Sequence, residues 1–240
     1  SFTLPMIDIL ASGRARARMP RTLILEPTRE LATQVAENFD VYGKYTSLAK
    51  ALIIGGESMG EQVKILDRGV DVLIATPGRL LDLMNQGRVR LDEVEIFVLD
   101  EADRMLDMGF VRDVKKIIAA LPKERQTLLF SATMPKSVQS LADGLLDDPV
   151  RVEVAPAATT VEKVEQQVLF VAKDKKRALL GELLKDEDIA RVLIFTRTKH
   201  GANRVAKHLH QCGIEADAIH GNKTQNARQR ALNGFRSGQV

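Results

Sequence analysis

Short, unbroken runs of apolar residues recur along the sequence, and longer segments with helical spacing separate most of them. Leu23-Ile24-Leu25 and Ile96-Phe97-Val98-Leu99 are two such runs, whereas Leu31, Val35 and Phe39 show the four-residue spacing of a helix. A strand that is apolar on both faces is typical of a parallel sheet covered by helices. We therefore predict an α/β fold with strands at Thr22–Leu25, Ala51–Ile54, Val72–Ala75, Ile96–Leu99, Thr127–Phe130, Val168–Val171, Val192–Phe195 and Ala216–Ile219.

The alternation of strands and helices pauses once along the chain. Asp147-Asp148-Pro149 ends a predicted helix, and a segment of small residues without periodicity follows at 155–160. A chain of 240 residues has room for one large or two small domains, at about 150 residues per domain. We predict a first domain over residues 1–152, a linker over 153–165 and a second domain over 166–240.

Composition narrows the classes of function. Lys and Arg number 35 against 32 Asp and Glu, and a net charge of +3 is too small to indicate a polyanionic partner. Cys212 is the single cysteine, which excludes an internal disulfide and a multi-cysteine zinc site. No apolar run approaches the roughly 18 residues of a membrane span, and no basic segment precedes an apolar stretch at the start. We expect a cytoplasmic protein without a membrane partner.

Two clusters of basic residues have a simple structural interpretation. Four arginines lie close together before the first predicted strand, at Arg14, Arg16, Arg18 and Arg21. A solvated loop explains them more simply than a specific phosphate contact. Three histidines lie near one predicted helix, at His200, His208 and His210. Their spacing does not place them on one helical face, so surface histidines are favoured over a metal site.

Segments that follow the predicted strands carry the residues suited to phosphate binding, because ligands of open parallel sheets bind beyond the carboxyl ends of the strands. In Thr76-Pro77-Gly78-Arg79, threonine suits the N-cap and proline the first helical position. Such a helix start offers free N–H groups and a partial positive charge to a phosphate. Pro27-Thr28-Arg29 repeats this pattern, and Gly55-Gly56 would let a backbone approach a ligand closely. Ordinary helix capping and tight turns are the alternative interpretation.

The predicted fourth strand ends in two adjacent carboxylates, Asp100 and Glu101. P-loop NTPases hold Mg²⁺ with a carboxylate in this position, and an adjacent carboxylate orients and deprotonates water. Asp100 is the candidate magnesium ligand, through water because Mg²⁺ loses its hydration shell reluctantly. Glu101 is the candidate general base. A solvated acidic turn, with Asp103 as a helix cap, is the alternative.

These segments occur in the order and with the spacing of the motifs of the DEAD-box RNA helicases, which they resemble. The matching segments are Pro27 to Ala32 (motif Ia), Gly55-Gly56 (GG), Thr76 to Arg79 (motif Ib), Asp100 to Asp103 (motif II), Ser131-Ala132-Thr133 (motif III), Leu193 to Thr198 (motif IV) and His220 to Arg228. The resemblance covers essentially the whole chain. Asp103 to Phe110 is also similar to the bacterial RhlE-type branch.

The resemblance implies two tandem RecA-like domains of the P-loop NTPase type, both incomplete in this chain, that close together on ATP and RNA. Asp100 and Glu101 would serve hydrolysis of ATP with Mg²⁺. Ser131 and Thr133 would hydrogen-bond the Asp103 region and couple the nucleotide state to RNA strain. The residues implied to contact RNA are Pro27, Thr28, Arg29, Gly55, Gly56, Thr76, Pro77, Gly78 and Arg79 in the first domain and Thr196, Arg197, His220 and Gly221 in the second.

The chain departs from the family pattern at both ends. The sequence contains no G-x-x-x-x-G-K-[ST] segment, since its Gly43-Lys44 pair is followed by Tyr45 and has Asn38 in place of the first glycine. The arginine-rich motifs that complete the second domain in this family are absent as well. We predict that the 240-residue polypeptide alone does not hydrolyse ATP, whereas the intact protein is an ATP-dependent RNA helicase.

The mode of RNA binding follows from the residue types at the strand ends. Aromatic residues make up only 4% of the chain, so the base-stacking surfaces of many single-strand binders are scarce. Thr, Gly and Arg suit the ribose-phosphate backbone, which predicts RNA binding with little sequence preference. Two alternatives remain: a non-catalytic RNA-binding scaffold, and a DNA helicase or translocase on the same fold. The sequence indicates neither a protein partner nor an oligomeric state.

Overall fold

The computed structural model describes residues 2–12, 19–154, 164–186 and 189–240. The chain divides into two compact units, residues 1–150 and residues 151–240. The first unit contains α1 (Thr3–Ala11), β1 (Thr22–Leu25), α2 (Arg29–Tyr42), β2 (Lys50–Ile53), α3 (Met59–Asp67), β3 (Val72–Ala75), α4 (Pro77–Asn85), β4 (Ile96–Leu99), α5 (Ala102–Asp107), α6 (Val111–Ile118), β5 (Gln126–Leu129) and α7 (Lys136–Leu145). The second unit contains α8 (Lys176–Leu183), α9 (Lys199–Gln211) and α10 (Gln225–Ser237).

The strands of the first unit form a parallel sheet in the order β2-β3-β1-β4-β5. The register aligns Leu25 with Ala75 on β3 and with Leu99 on β4. The same row continues to Ile53 on β2 and to Leu129 on β5. Because every pair is parallel, all these strands end at the same edge of the sheet. We call this the carboxyl edge.

Helices cover both faces of the sheet, as the apolar runs predict. Every residue of β1, β3 and β4 is buried. On one face, Leu25, Phe97 and Leu99 pack with apolar residues of α3 to α7. On the other face, Ile24 and Val98 pack with α1 and α2. Full burial of each such side chain contributes roughly 1.5–3 kcal/mol to folding.

The predicted strands of the first unit are confirmed to within one residue. β1, β3 and β4 have the predicted bounds, whereas β2 and β5 begin and end one residue earlier than expected. The agreement follows from the double-sided burial of the central strands, which makes each of them a recognisable apolar run.

The strands predicted at 168–171, 192–195 and 216–219 are wrong for this structure. None of these segments pairs with another strand in the described part of residues 151–240. Most of their large apolar side chains are exposed, with Phe170 97% and Phe195 92% exposed. An apolar run becomes a strand only when a neighbour completes its hydrogen-bond ladder, and these described residues supply no such neighbour.

The expectation that the arginine cluster lies in a solvated loop is wrong for Arg21. Its side chain is buried, and Nε and Nη2 donate to the two carboxylate oxygens of Glu95 at 2.8 and 3.0 Å. Arg14, Arg16 and Arg18 lie outside the described residues, as does most of the predicted linker. Within the described ranges, no helix is long and apolar enough to cross a membrane.

Candidate functional site

The hydrogen-bond ladder of the sheet continues by one residue at the carboxyl edge. Thr76 N donates to Ile53 O and Glu26 N to Ala75 O, each at 3.0 Å. Asp100 N donates to Leu25 O at 3.1 Å, and Phe130 N to Leu99 O at 2.9 Å. The residues that end this ladder lie side by side across the sheet; they are Ile54, Thr76, Glu26, Asp100 and Phe130. We call them the edge row.

The acidic pair occupies the end of β4 in a strained conformation. Asp100 is half-buried, and its Oδ1 accepts a hydrogen bond from Glu101 N at 2.9 Å. Burial raises the pKa of Asp100 above its ordinary value. Glu101 precedes α5 with φ 49° and ψ 48°, a left-handed backbone conformation that residues other than glycine rarely adopt. Such strain is concentrated at functional sites, where it fixes a side chain in a required direction.

Asp103 joins the ends of β4 and β5 through hydrogen bonds. Its Oδ2 accepts from Thr133 N at 2.9 Å and from Thr133 Oγ1 at 2.6 Å. Ser131 Oγ accepts from Asp103 N at 3.1 Å and donates to Thr133 O at 2.7 Å. Burial raises the pKa of Asp103, but the hydrogen bonds that its carboxylate accepts from Thr133 and Arg104 outweigh burial and lower that pKa below its ordinary value.

Glu26 is a member of the edge row that the sequence motifs do not single out. Its side chain is 1% exposed, and Oε1 is buried without a hydrogen-bond partner. Burial, the charges of Asp100 and Glu101, and a hydrogen bond with Asp100 raise the pKa of Glu26 to about 8. The available signal in the sequence was a carboxylate directly after a buried central strand.

The segments predicted to contact a polyanion meet beside the edge row. Thr28 is the N-cap of α2, and its side chain accepts from Leu31 N at 3.3 Å. The Arg29 guanidinium lies against Gly55-Gly56: a Cβ on Gly56 would stand 2.3 Å from Arg29 Nη1. Gly56 has φ +82°, a conformation that favours glycine, and a Cβ there would also displace the end of the Arg29 side chain.

The start of α4 is open to a ligand. Thr76 is its N-cap and Pro77 its first residue, as expected, but the Thr76 side chain makes no capping hydrogen bond. The first amide N–H groups of a helix have no partner within the helix and remain available to a ligand here. A Cβ on Gly78 would meet nothing within 4 Å, and Arg79 Nη1 donates to Glu57 O at 3.2 Å. The helix start at Thr28 differs, because Pro27 precedes that cap.

The candidate residues of the second unit lie at two loop positions. Thr196 Oγ1 donates to Thr198 O at 3.0 Å, and Arg197 is exposed. His220 Nδ1 accepts from Asn222 N at 3.3 Å, and its Nε2 lies 3.0 Å from Asn203 Oδ1. With Nδ1 an acceptor, Nε2 is the donor to Asn203 Oδ1. A Cβ on Gly221 would meet nothing within 4 Å.

The donor set at the carboxyl edge fits magnesium with a nucleotide rather than a protein-only metal cage. No group of three or more His, Cys, Asp or Glu side chains among the described residues is arranged to hold a metal ion. Mg²⁺ prefers oxygen ligands and is usually held by one or two carboxylates, with water and substrate phosphates completing its shell. Asp100 and Glu101 provide donors of that kind.

Two protein-family models match most of the chain. Residues 1–141 match the DEAD/DEAH box helicase model, and residues 174–240 match the helicase conserved C-terminal domain. Against a crystal structure of a DEAD box protein from the hyperthermophile Methanococcus jannaschii, the TM-score is 0.59 at 35% identity, covering 100% of this chain and 63% of that one. The predicted α/β fold of RecA-like type is thereby confirmed.

Curated relatives agree with the family models. The chain is 45% identical to ATP-dependent RNA helicase RhlB of Pseudomonas aeruginosa, with 92% of this chain and 56% of RhlB covered. It is 39% identical to RNA helicase CrhR of Synechocystis, with 100% and 48% covered, and 45% identical to ATP-dependent RNA helicase dbp2 of Schizosaccharomyces pombe, with 91% and 40% covered. The chain thus spans about half the length of these relatives. The RhlE-type branch stays a prediction. From the family models, the relatives and the fold together, the chain belongs to the DEAD/DEAH box helicase family.

Proposed function

We propose that this chain is part of an ATP-dependent RNA helicase that binds single-stranded RNA and separates RNA duplexes locally. The observation that carries the proposal is the carboxyl edge of the sheet. The acidic pair at the end of β4 and the basic, glycine-containing segments after β1, β2 and β3 lie on this one edge. The residues that hydrolyse ATP and those that bind RNA would therefore be held by the same edge of one sheet.

The nucleotide half of the proposal concerns Asp100 and Glu101. Asp100 would hold Mg²⁺ through water, and Glu101 would orient the attacking water and accept its proton. Bound Mg²⁺ would neutralise charge on the phosphate oxygens of ATP. The left-handed backbone of Glu101 supports this role, because backbone strain of this kind is concentrated at functional sites.

The Glu101 assignment is tested with Glu101→Gln in the intact protein. Glutamine keeps the size of the side chain but cannot accept the proton, so nucleotide binding with Mg²⁺ should persist while turnover falls by about 10²-fold or more. Binding is measured with a fluorescent nucleotide and turnover by phosphate release. An unchanged turnover number removes Glu101 as the base.

The RNA half of the proposal concerns the backbone of the nucleic acid. The open start of α4, with Arg79 beside it, and the Gly55-Gly56 turn against Arg29 suit phosphate and ribose groups. Pro27, Thr28, Thr76, Pro77 and Gly78 complete this surface. These contacts carry no base information, so RNA of any sequence should bind with similar affinity and marked salt dependence.

Arg79→Ala tests this surface, with Arg88→Ala, three residues beyond the carboxyl end of α4, as a matched control. Loss of one phosphate contact should weaken binding to all RNA sequences equally and lower the salt slope by about one. The Arg88 variant should bind as the parent chain does. Affinity is measured by fluorescence anisotropy with several labelled oligonucleotides at four salt concentrations. Selective loss for one sequence counts against backbone binding.

The coupling between the two halves is assigned to Asp103, Ser131 and Thr133, whose hydrogen bonds link the ends of β4 and β5. We further propose a second domain over 166–240, joined through a linker over 153–165, with Thr196, Arg197, His220 and Gly221 as additional RNA contacts. Closure of the two domains on ATP and RNA would strain one strand and release its partner. A cytoplasmic location fits this role.

The two rival functions predict different biochemistry for the intact protein. An RNA helicase shows phosphate release that RNA stimulates more strongly than DNA of identical sequence, because 2′-hydroxyl contacts distinguish the two. Equal stimulation by both nucleic acids favours a DNA helicase or translocase. RNA binding without any phosphate release favours a non-catalytic scaffold.

A further inference from the structure

Gln62, near the start of α3, is a buried polar side chain bound to the end of β2. It is 4% exposed, and its Nε2 donates a hydrogen bond to Ile54 O at 2.9 Å. Successive carbonyl groups of a strand point to opposite sides, and Ile53 O accepts from Thr76 N on the side of β3. In the described residues of the first unit, β2 is the outer strand of the sheet. The side chain of Gln62 therefore supplies the donor that a further strand would give to Ile54 O.

Gln62 closes the loop between β2 and α3 at both of its ends. Its Nε2 binds Ile54 O, and its backbone N donates to Ser58 O at 3.3 Å. Ser58 is the N-cap of α3, and its Oγ accepts from Glu61 N at 3.4 Å. Residues 55–57 lie between these two anchors and include both glycines. We call them the glycine loop.

Two arginines contact the glycine loop from different helices. A Cβ on Gly55 would stand 3.1 Å from Arg29 Nη2, so this guanidinium lies against Gly55 as well as Gly56. Arg79 Nη1 donates to Glu57 O at 3.2 Å. A guanidinium has five N–H donors, so this bond leaves Arg79 with donors for a phosphate. The position of the glycine loop therefore affects the guanidinium groups at the starts of both α2 and α4.

Stability alone does not explain a glutamine at position 62. Among the described residues, Gln62 Oε1 is buried without a hydrogen-bond partner, which is unfavourable for the fold. An apolar side chain of similar size would remove this oxygen but would leave Ile54 O without its donor, at a comparable cost. What the glutamine adds is a fixed position for the Ile54 carbonyl, and so for the glycine loop that follows it.

We propose that Gln62 is a positioning residue that holds the glycine loop, and with it the Arg29 and Arg79 guanidinium groups, in the arrangement that binds the phosphates of an RNA strand. This inference rests on the proposed function, because that function assigns RNA to these arginines. Gln62 is too deeply buried to touch RNA itself. Its contribution is preorganisation, since a guanidinium group that is already held in place loses less conformational freedom on binding.

Gln62→Met in the 240-residue chain tests the proposal. Methionine keeps the approximate length and volume of the side chain but has no N–H donor, and we expect the free energy of unfolding to change little. Affinity for labelled oligouridylate, measured by fluorescence anisotropy, should fall by about 5- to 10-fold, because two less restrained guanidinium groups must be ordered on binding. Gln62→Leu removes the same donor with a different side-chain shape and should give the same loss. Gln126→Met, at an exposed glutamine that begins β5, is the matched control and should bind as the parent chain does.

Combination with Arg79→Ala separates positioning from packing. If Gln62 acts through the two arginines, Gln62→Met should weaken binding by only about 2- to 3-fold in the Arg79→Ala background, because Arg29 alone remains to be ordered. A packing role predicts the same factor in both backgrounds. Urea unfolding of every variant shows whether a loss of affinity only follows a loss of stability.

Each result supports or overturns a stated claim. Loss of affinity at retained stability, with a smaller factor in the Arg79→Ala background, supports the positioning role. Parent-like affinity in Gln62→Met, an equal factor in both backgrounds, or a loss that only follows lower stability overturns the positioning role and leaves the proposed function intact. Parent-like affinity in Arg79→Ala, or no RNA binding by the parent chain, overturns the RNA surface itself and the positioning role with it.

Discussion

The buried carboxyl of Glu26 makes the stability of the first unit depend on pH. Its pKa is raised from an ordinary 4.5 to about 8, first by burial and then by the charges of Asp100 and Glu101. Between these two pH values the folded chain keeps a proton that the unfolded chain has released. The free energy of unfolding therefore falls as pH rises through this window. The contribution of Glu26 to the free energy of unfolding is fully present below pH 4.5 and is lost by about pH 8.

The size of the effect follows from the difference between the two pKa values. At about 1.36 kcal/mol per pH unit, a rise from 4.5 to about 8 corresponds to a loss of roughly 5 kcal/mol, of which about 3 kcal/mol is lost by pH 7. A typical domain has a total stability of about 5–15 kcal/mol, so the change is large enough to measure.

Urea unfolding at several pH values, for the parent chain and Glu26→Gln, measures the effect. The chain has no tryptophan and two tyrosines, Tyr42 and Tyr45, which both lie in the first unit. Tyrosine fluorescence therefore follows the unfolding of that unit. The difference in unfolding free energy between parent and variant isolates Glu26, because every other titrating group is common to both proteins.

We expect this difference to shift against the parent by about 3–5 kcal/mol between pH 4.5 and pH 8. In an Asp100→Asn background the shift should be smaller, because one of the charges that raise the pKa of Glu26 is removed. A difference that stays constant within about 0.5 kcal/mol across this range would refute the buried, neutral state of Glu26.

Further substitutions test the local geometry of the site. Gly56→Ala should destabilise the first unit by about 1–2 kcal/mol, because the turn has φ +82°. It should also weaken RNA binding, because the new Cβ would displace the Arg29 guanidinium. Thr133→Val should cost about 1–2 kcal/mol in urea unfolding and raise the pKa of Asp103, measured by ¹³C NMR of its carboxyl, since the 2.6 Å hydrogen bond is lost. Glu101→Gly should stabilise the first unit by about 1 kcal/mol, because glycine relieves the left-handed strain. It should also abolish turnover of the intact protein, because the carboxylate is lost.

Controls make these three results interpretable. Gly78→Ala places a methyl group in open space at a position without positive φ, so it should not reproduce the destabilisation of Gly56→Ala. Thr133→Ser keeps the hydroxyl group and should retain the low pKa of Asp103. Equal stabilities of Glu101→Gly and Glu101→Gln would contradict the assignment of strain to Glu101, since glutamine keeps the strained side chain.

The first sheet could be predicted because burial leaves a direct trace in the sequence. Leu23-Ile24-Leu25 and Ile96-Phe97-Val98-Leu99 have no polar face, and only a strand covered on both sides tolerates that pattern. Leu193-Ile194-Phe195 carries the same local pattern and yet forms no strand in the structure. The pattern records what a segment prefers, whereas a strand also needs a partner whose presence no local run reveals.

The convergence of the candidate residues at one edge of the sheet could be predicted, because each group of them follows a strand of the same parallel sheet. Asp100 and Glu101 come directly after β4, Arg79 lies in the first turn of the helix that follows β3, and the parallel sheet brings these strand ends together. Glu26 was not recognised, because Glu-Pro-Thr-Arg is also an ordinary way to begin a helix. Arg21 was expected in a solvated loop, but its fork-shaped pairing with Glu95 involves a residue 74 positions away. A charged side chain that is buried against a partner distant in the sequence leaves no signal in its own local sequence.

The central claim is that one edge of the sheet holds both the acidic pair and the surface that grips RNA. Its most direct test is an amide chemical-shift map of the isotope-labelled chain during titration with single-stranded oligouridylate and, separately, with an adenine-rich RNA of equal length. The account predicts that both RNAs shift the same signals, namely those at Thr28-Arg29, Gly55-Gly56 and Gly78-Arg79. Shifts confined to the opposite edge of the sheet, at Thr22, Val72 and Ile96, would contradict it.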